Sequence, residues 1–391
     1  MDACRGAAAL AIVVCHSYPR PQGPLADWAN EMRIGVQVFF ALSGFLLFRP
    51  YLVALADGSE TPRLRDYLKR RVLRIVPAYW VALTILGLTL GPPYIRDLFS
   101  GGWWLLYGFG QTYSEHYRFS GISVAWTLSV EASFYLFLPL FAEFTRRMTR
   151  RAGWRASAMW GLLVLSVFGI GLRALEVYPN RFSATAVHFT FGLPGEIEYF
   201  AIGMALAVVS VDRERRGPST APIEWLIRHP SVAWLIAGAC FAFGSTFGGY
   251  ISPVAVPAAG QLSFPARFVA DSVLEGVFAG LILMPAAFES ARPRLPQRIL
   301  GLRVLGFLGV VSYGMYLWHG PVGGWLVHEW VGQHAKQAWP LGVVWTGCAL
   351  IVGAVGVLAG TLSYYLIELP FLRRKPGWRP AGRRATPISV Q

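Results

Sequence analysis

The chain begins with the sequence MDACRGAAALAIVVCH, residues 1–16, in which one arginine and one histidine flank a run of small and apolar residues. Arg5 and His16 are eleven positions apart, and at about 100° per residue this spacing brings both side chains to one face of an α-helix. Along the helix axis they are then separated by roughly 16 Å. The stretch predicts a helix with a cation near one end and an imidazole near the other.

The composition indicates a membrane environment for this helix. The 391-residue chain is 54% hydrophobic and only 14% charged, whereas soluble domains average about 25% charged residues. Ten apolar runs approach or exceed the length of about 20 residues that a membrane span needs. They cover approximately residues 3–19, 34–56, 72–91, 122–142, 156–175, 186–210, 231–250, 268–288, 304–328 and 340–368. The sequence therefore predicts an all-α polytopic integral membrane protein with about ten transmembrane helices.

The basic residues alternate between loops. The loops after the even-numbered runs, together with the C-terminal segment, contain 25 of the 35 lysines and arginines. Because basic residues gather in cytoplasmic loops, this pattern predicts a multi-pass protein of the plasma or inner membrane with both termini in the cytoplasm. Orientation also accounts for the net charge of +14, so a nucleic-acid partner is not expected. We interpret residues 1–371 as one transmembrane domain and residues 372–391 as a basic cytoplasmic tail without a fixed fold.

The cysteines do not indicate a metal centre. They lie in apolar surroundings and lack the CxxC spacing of zinc sites; they are Cys4, Cys15, Cys240 and Cys348. We therefore expect neither a disulfide framework nor a metal site, and no permanently bound cofactor.

Ionisable side chains within the apolar runs are candidates for function, because each costs at least about 2.5 kcal/mol near the bilayer centre. His16, Glu131 and His319 stand out. His16 has a structural alternative, a hydrogen bond to a loop carbonyl, and His319 precedes Pro321 at an expected helix break. Glu131 lies so far inside its run that it requires either a proton or a buried partner. Glu198 is interpreted either as a functional group or as a partner in an ion pair.

A pair of arginines begins the third apolar run. Arg71 and Arg74 are three positions apart, so both guanidinium groups lie on one helix face, where such forks match phosphate oxygens. The positive-inside rule alone also predicts basic residues here, but it does not explain why they lie beside an aromatic-proline junction. With Arg5 at the same level, the arginines are expected to surround one inner vestibule.

Five motifs, taken in order, resemble those of the acyltransferase family 3 membrane proteins, which O-acylate surface glycans and some secreted small molecules. They are R-x10-H at Arg5 and His16, GVQVFFALSGFLL at 35–47, RRVLRIVPAYW at 70–80, WTLSVEASFYL at 126–136 and SYGMYLWHGP at 312–321. Each motif is weak alone, but five in the family's order are specific. This chain departs from the family at Gln37, where an aspartate is common. Relatives also have a longer lead-in before the R-x10-H arginine, which leaves open a start upstream of Met1.

The resemblance implies an acyltransferase-3 type bundle that transfers an acyl group, usually acetyl, from cytoplasmic acyl-CoA, a co-substrate, to a hydroxyl group. The acyl acceptor is expected to be a glycan, a lipid-linked sugar or a macrolide-like small molecule.

The resemblance also implies roles for particular residues. His16 is expected to act as the catalytic base, with Glu131 at the acidic catalytic position. The residues expected to contact acyl-CoA are Arg5, Arg71 and Arg74. The residues expected to bind or support the substrate are Ser43, Trp126, Ser129 and His319.

A transporter or exporter is the alternative, because buried glutamate and histidine also suit proton coupling or substrate binding. The combination of R-x10-H with RxxR favours the acyltransferase, since a transporter has no reason to combine them. The sequence leaves open the acyl acceptor, the chain length of the donor and the oligomeric state.

Overall fold

The computed structural model describes residues 1–17, 24–89, 101–177, 191–247, 264–288, 293–325, 327 and 340–374. Over these ranges the chain is helical and contains no β-strand. The helices are α1 (Asp2–His16), α2 (Pro24–Glu31), α3 (Gly35–Asp57), α4 (Leu64–Thr89), α5 (Trp103–Tyr107), α6 (Trp126–Ala152), α7 (Trp154–Val177), α8 (Leu193–Arg216), α9 (Ala221–Arg228), α10 (Pro230–Phe247), α11 (Phe264–Ala287), α12 (Leu295–Leu300), α13 (Arg303–Trp318), α14 (Leu341–Ser363) and α15 (Leu369–Leu372). Two π-helical segments, His319–Gly323 and Tyr364–Glu368, follow α13 and α14. Most of the predicted tail, residues 375–391, lies outside the described residues.

Each of the ten predicted runs overlaps an α-helix in the described part of the chain, but these helices differ in length. In the described part of the chain, seven helices are long and apolar enough to cross a membrane, or eight if α9 and α10, bent by 97°, form one span. Helix α1 has 15 residues and therefore extends about 22 Å, less than the hydrocarbon core of about 30 Å. The all-α polytopic fold is confirmed, whereas the exact count of ten spans is not.

Helices α3 and α8 pack backbone against backbone at two glycines. A Cβ atom on Gly44 would lie 2.2 Å from the carbonyl oxygen of Phe200, and one on Gly203 would lie 1.8 Å from that of Ala41. Small residues are what permit such approach between membrane helices. Beside this contact the ring of Phe134 stacks on Phe200, with centroids 4.0 Å apart, so α6 joins the same core.

Helix α1 packs against α13 in the same manner. A Cβ on Gly6 would lie 2.7 Å from the carbonyl oxygen of Leu305, and one on Gly309 would lie 1.9 Å from that of Asp2. These contacts hold the first turns of α1 against the first half of α13. The C-terminal ends of both helices also meet, so the two helices run parallel, as expected for the first and ninth of ten alternating spans.

Ion pairs join the ends of three helices on one side of the bundle. Arg215, at the end of α8, lies 2.7 Å from Asp57, the last residue of α3, and Arg155, in the first turn of α7, lies 3.0 Å from Asp212. The basic segments that follow the second, fourth and sixth predicted spans therefore lie on a common side, as the alternation of charge requires.

We expect Gly203→Ala to destabilise the detergent-solubilised protein by about 1–3 kcal/mol, the usual cost of overpacking, because the added methyl group overlaps the Ala41 carbonyl. The measurement is thermal unfolding followed by intrinsic tryptophan fluorescence. Gly171→Ala in α7 is the matched control, since a Cβ there meets no atom within 4 Å, and it should lose no stability. Equal midpoints for the two variants would contradict the close α3–α8 contact.

Candidate active site

A cavity lies inside the bundle between α1, α3, α4, α6 and α13. Its charged lining residues are Arg5, Arg71, Arg74 and Glu131. Three formal positive charges thus face one negative charge. The vestibule expected from the sequence is present, and its excess of positive charge favours an anionic ligand.

Arg71 and Arg74 reach the cavity from the first half of α4. The Arg71 guanidinium carbon lies 5.9 Å from the centre of the Tyr135 ring, a cation–π contact that holds the fork in place. The Nε atom of Arg71 is buried and has no hydrogen-bond partner among the described residues. A buried donor without a partner is costly, so this nitrogen is a candidate donor to a bound ligand.

Helix α13 fixes the position of this basic turn. The hydroxyl of Tyr313 donates a hydrogen bond of 2.7 Å to the carbonyl oxygen of Ile75, the residue after Arg74. Pro77, within α4, lacks an N–H group, so the carbonyl of Leu73 has no α-helical donor. The backbone is therefore weakened next to the arginines, and the tyrosine of the SYGMYLWHGP motif supports it there.

Glu131 supplies a carboxylate to the cavity. The Ser43 hydroxyl donates a hydrogen bond to its Oε1 atom, which joins α3 to α6. Arg5 is held by an ion pair to Asp2, 2.8 Å away and one turn earlier in α1. The predicted acidic position and the predicted arginines thus face each other across one space.

At the other end of α1, His16 meets His319. The Nδ1 atom of His16 lies 3.1 Å from the Nε2 atom of His319, and the rings stack with centroids 5.3 Å apart. His16 is exposed, whereas His319 is completely buried. The sequence indicated both residues separately but not their contact, because 303 positions separate them.

Tyr316 touches both regions. It lines the cavity, and its ring centroid lies 5.9 Å from that of His319. Its hydroxyl lies 2.7 Å from the Thr127 hydroxyl and donates to the carbonyl oxygen of Val124 at 2.8 Å. Neither histidine is among the described residues that line the cavity, so Tyr316 stands between the arginines and the histidine pair. Its position was not predicted from the sequence.

Two predicted substrate residues on α6 do not line the cavity in the part of the chain that the structure describes. Trp126 packs edge-on against Phe191, with ring centroids 5.1 Å apart, and Ser129 is fully buried. Thr127 and Glu131, four positions apart, line the cavity, so the helical period turns positions 126 and 129 to other faces.

A second polar cluster, which we term the carboxylate network, lies apart from the cavity. Its members are buried or half-buried side chains of five helices and the turn after α2, namely Glu31, Arg33, Gln37, Arg173, Glu196, Glu198, Tyr199, Asp271 and Glu275. Arg173 lies 2.9 Å from both Glu196 and Glu198. Glu198 is therefore an ion-pair partner between α7 and α8.

Gln37 belongs to this network. Its amide donates a hydrogen bond of 3.1 Å to the carboxylate of Glu275, which also accepts hydrogen bonds from Tyr199, at 2.6 Å, and from Arg33. An aspartate at position 37 would face Glu275 with a second negative charge. The Gln37 amide avoids this repulsion and donates a hydrogen bond instead.

The helical bundle defines a multi-pass membrane protein with a cavity between its helices that is lined by three arginines and one glutamate. Residues 1–360 match the family model described as an acyltransferase domain, and the chain belongs to this acyltransferase 3 family. The resemblance drawn from the five motifs is confirmed.

The curated relatives are distant in sequence. The chain is 24% identical to "Putative peptidoglycan O-acetyltransferase YrhL" of Bacillus subtilis (strain 168), over 98% of this chain and 56% of that protein. It is 23% identical to "Putative O-acetyltransferase SACOL0978" of Staphylococcus aureus (strain COL), over 97% of this chain and 59% of the relative, and 28% identical to nodulation protein 10 of Rhizobium leguminosarum bv. viciae, over 87% and 82%. The chain thus spans little more than half the length of the first two. No solved structure matches it.

We expect Tyr313→Phe to lower the free energy of unfolding by about 1 kcal/mol, the net value of one intramolecular hydrogen bond, because it removes the donor to the Ile75 carbonyl. Denaturation of the protein in detergent micelles measures the change. Tyr365→Phe, at an exposed ring in the second π-helical segment, serves as the control and should leave stability unchanged. A Tyr313→Phe variant as stable as the control would show that this hydrogen bond does not support α4.

Proposed function

We propose that the protein is a membrane-bound O-acyltransferase that transfers an acyl group from cytoplasmic acyl-CoA to a hydroxyl of an acyl acceptor. The proposed acyl group is acetyl. Membership of the acyltransferase 3 family supports acyl transfer. The observation that carries the choice of donor is the convergence of Arg5, Arg71 and Arg74 on one cavity. A CoA ester is a polyanion, and its phosphates match these three forks.

The proposed donor position follows from the charges. The phosphates bind the arginines, with the Nε atom of Arg71 supplying a donor that no described residue uses. The pantetheine arm then extends along α1, past Tyr316, toward His16. The separation of roughly 16 Å between Arg5 and His16 suits such an extended linker. In the proposed topology the arginine end of α1 faces the cytoplasm, where acyl-CoA is found.

The proposed reaction uses His16 as a general base. His16 takes the proton of the acceptor hydroxyl while its oxygen attacks the thioester carbonyl carbon. The carbon–sulfur bond breaks as the carbon–oxygen bond is completed, and the CoA thiolate recovers the proton from the imidazolium to leave as a thiol. Glu131 accepts a hydrogen bond from Ser43 and faces the arginines across the cavity. Its negative charge helps to position the arginines that bind the acyl-CoA phosphates. The products are an ester and CoA.

The acyl acceptor is proposed to be a glycan hydroxyl on the outer side of the plasma or inner membrane, with a lipid-linked sugar or a macrolide-like small molecule as variants. The exposed ring of His16 supports access from that side. The peptidoglycan O-acetyltransferase name of the Bacillus relative supports a carbohydrate.

The proposal is tested by incubating the purified protein in nanodiscs with acetyl-CoA and a panel of hydroxylated acyl acceptors. Release of CoA is measured with a thiol reagent, and the ester is identified by mass spectrometry. Acceptor-dependent CoA release supports the proposal. No turnover with any pair would overturn it and favour the transporter, which a flux assay in proteoliposomes then examines.

We expect Arg71→Ala to raise the KM for acyl-CoA by about 10- to 100-fold, as for a lost charge-assisted hydrogen bond worth roughly 1.5–3 kcal/mol, with a smaller effect on kcat. Steady-state kinetics at varied acyl-CoA concentration provide the measurement. Arg65→Ala is the control, because Arg65 belongs to the same basic segment but is exposed and does not line the cavity. If both variants raised KM equally, the cavity would not be the donor site.

We expect His16→Ala to lower kcat by about 100- to 10,000-fold, the usual contribution of a positioned general base, while the KM for acyl-CoA changes little. Membrane expression and monodispersity must match those of the unchanged protein. Normal transfer by the His16→Ala variant would show that His16 is not the general base.

A further inference from the structure

We infer that His319 is a positioning residue, which fixes the tautomer of His16 and makes its Nε2 atom the nitrogen that takes the proton of the acyl acceptor. The inference rests on the proposed function, because it concerns the same base. Its geometry, however, is measurable without any reaction.

The hydrogen bonds of His319 fix where its own proton lies. Its Nδ1 atom lies 2.9 Å from the carbonyl oxygen of Tyr316 and 3.2 Å from that of Met315. A carbonyl oxygen only accepts hydrogen bonds, so Nδ1 carries a hydrogen and donates it to these oxygens. His319 is completely buried, and no ion pair to a carboxylate holds it within the described ranges. Since burial disfavours the charged ring, His319 is neutral and its Nε2 atom carries a lone pair.

The tautomer of His16 follows from this. Its Nδ1 atom lies 3.1 Å from Nε2 of His319, and a hydrogen bond between them needs one hydrogen. Because the Nε2 atom of His319 can only accept, Nδ1 of His16 donates. In the neutral His16 ring the other nitrogen, Nε2, is therefore the base.

The sequence places the His319 ring by a local change of helix type. Pro321 has no N–H group, so the carbonyl of Leu317 loses its α-helical donor, and the chain widens into the π-helical segment that starts at His319. Such segments occur frequently at functional sites. On the opposite side, Gly356 of α14 allows close approach, since a Cβ there would lie 3.2 Å from the Cβ of His319. The ring is thus held by its own helix and by a neighbour.

This arrangement also serves the imidazolium formed during transfer. When Nε2 of His16 takes the hydroxyl proton, Nδ1 still donates to His319, and that hydrogen bond becomes charge-assisted and stronger. The proton then returns from Nε2 to the CoA thiolate, so His319 ends each cycle unchanged. His319 touches none of the reacting atoms, and it acts only through His16.

The tautomer is tested by NMR of the full-length protein in nanodiscs with nitrogen-15 in its histidine rings. The nitrogen shifts and their one-bond couplings distinguish N–H from lone-pair nitrogens, and His16→Ala and His319→Ala assign the signals. We expect His16 to be protonated at Nδ1, and His319→Ala to move part of the population to the Nε2–H tautomer. A His16 ring protonated at Nε2 in the unchanged protein would overturn the inference.

The kinetic test compares His319→Ala with His319→Gln. We expect His319→Ala to lower kcat by about 10- to 100-fold, a range typical of partners that orient a functional histidine, with the KM for acyl-CoA unchanged. Glutamine places a carbonyl oxygen near the original Nε2 position, so it should recover most of the loss. His229→Ala is the matched control, because Nδ1 of His229 also lies near a helix carbonyl, that of Trp225 at 2.8 Å, but at the α9–α10 junction.

The outcomes separate the inference from the proposed function. Loss of activity in His16→Ala with normal kcat in His319→Ala would overturn the positioning role and leave the general base in place. An equal loss in the alanine and glutamine variants, with an unchanged His16 tautomer, would assign His319 to packing. Absence of transfer by the unchanged protein would overturn the proposed function, whereas the NMR result would still decide the tautomer.

Discussion

The backbone contact between α1 and α13 is the constraint on which the candidate site depends. Gly6 and Gly309 leave no room for a side chain between the two helices, so α1 cannot shift along its axis without a clash. One rigid helix carries both Arg5, at the cavity, and His16, at the histidine pair. A shift that moved either residue out of place would move the other by the same distance. A single packing contact thus keeps the arginine end and the histidine end of the candidate site in register.

Much of this arrangement could be predicted from the sequence, because helical periodicity and charge alternation are local properties of the chain. The convergence of Arg71 and Arg74 on one space follows from their spacing, and the all-α fold follows from the apolar runs. The number of membrane spans could not be predicted as directly from the sequence, since hydropathy shows the length of an apolar run but not where its helix ends. Helix α1 ends at His16, before it reaches the usual length.

Contacts between distant parts of the chain could not be predicted. The pairing of His16 with His319 depends on α1 and α13 running parallel in contact, and the position of Tyr316 depends on its hydrogen bonds to Thr127 and Val124. The sequence contained one signal near the histidine pair, the helix break expected at Pro321, and that signal did not identify His16 as the partner of His319. Ser129 was predicted to bind or support the substrate, but it faces away from the cavity. Thr127 and Glu131, two positions before and after it on the same helix, face the cavity instead.

The carboxylate network has a consequence for how this protein is made. Each ionised carboxylate or guanidinium in a membrane helix costs about 2.5–3.5 kcal/mol on insertion scales, and α11 alone carries both Asp271 and Glu275. Their partners, Arg33 among them, come from segments synthesised much earlier. Helix α11 therefore enters the bilayer most readily beside helices that are already in place. The order of synthesis, with α3, α7 and α8 preceding α11, supplies the charged partners before the segment that needs them emerges.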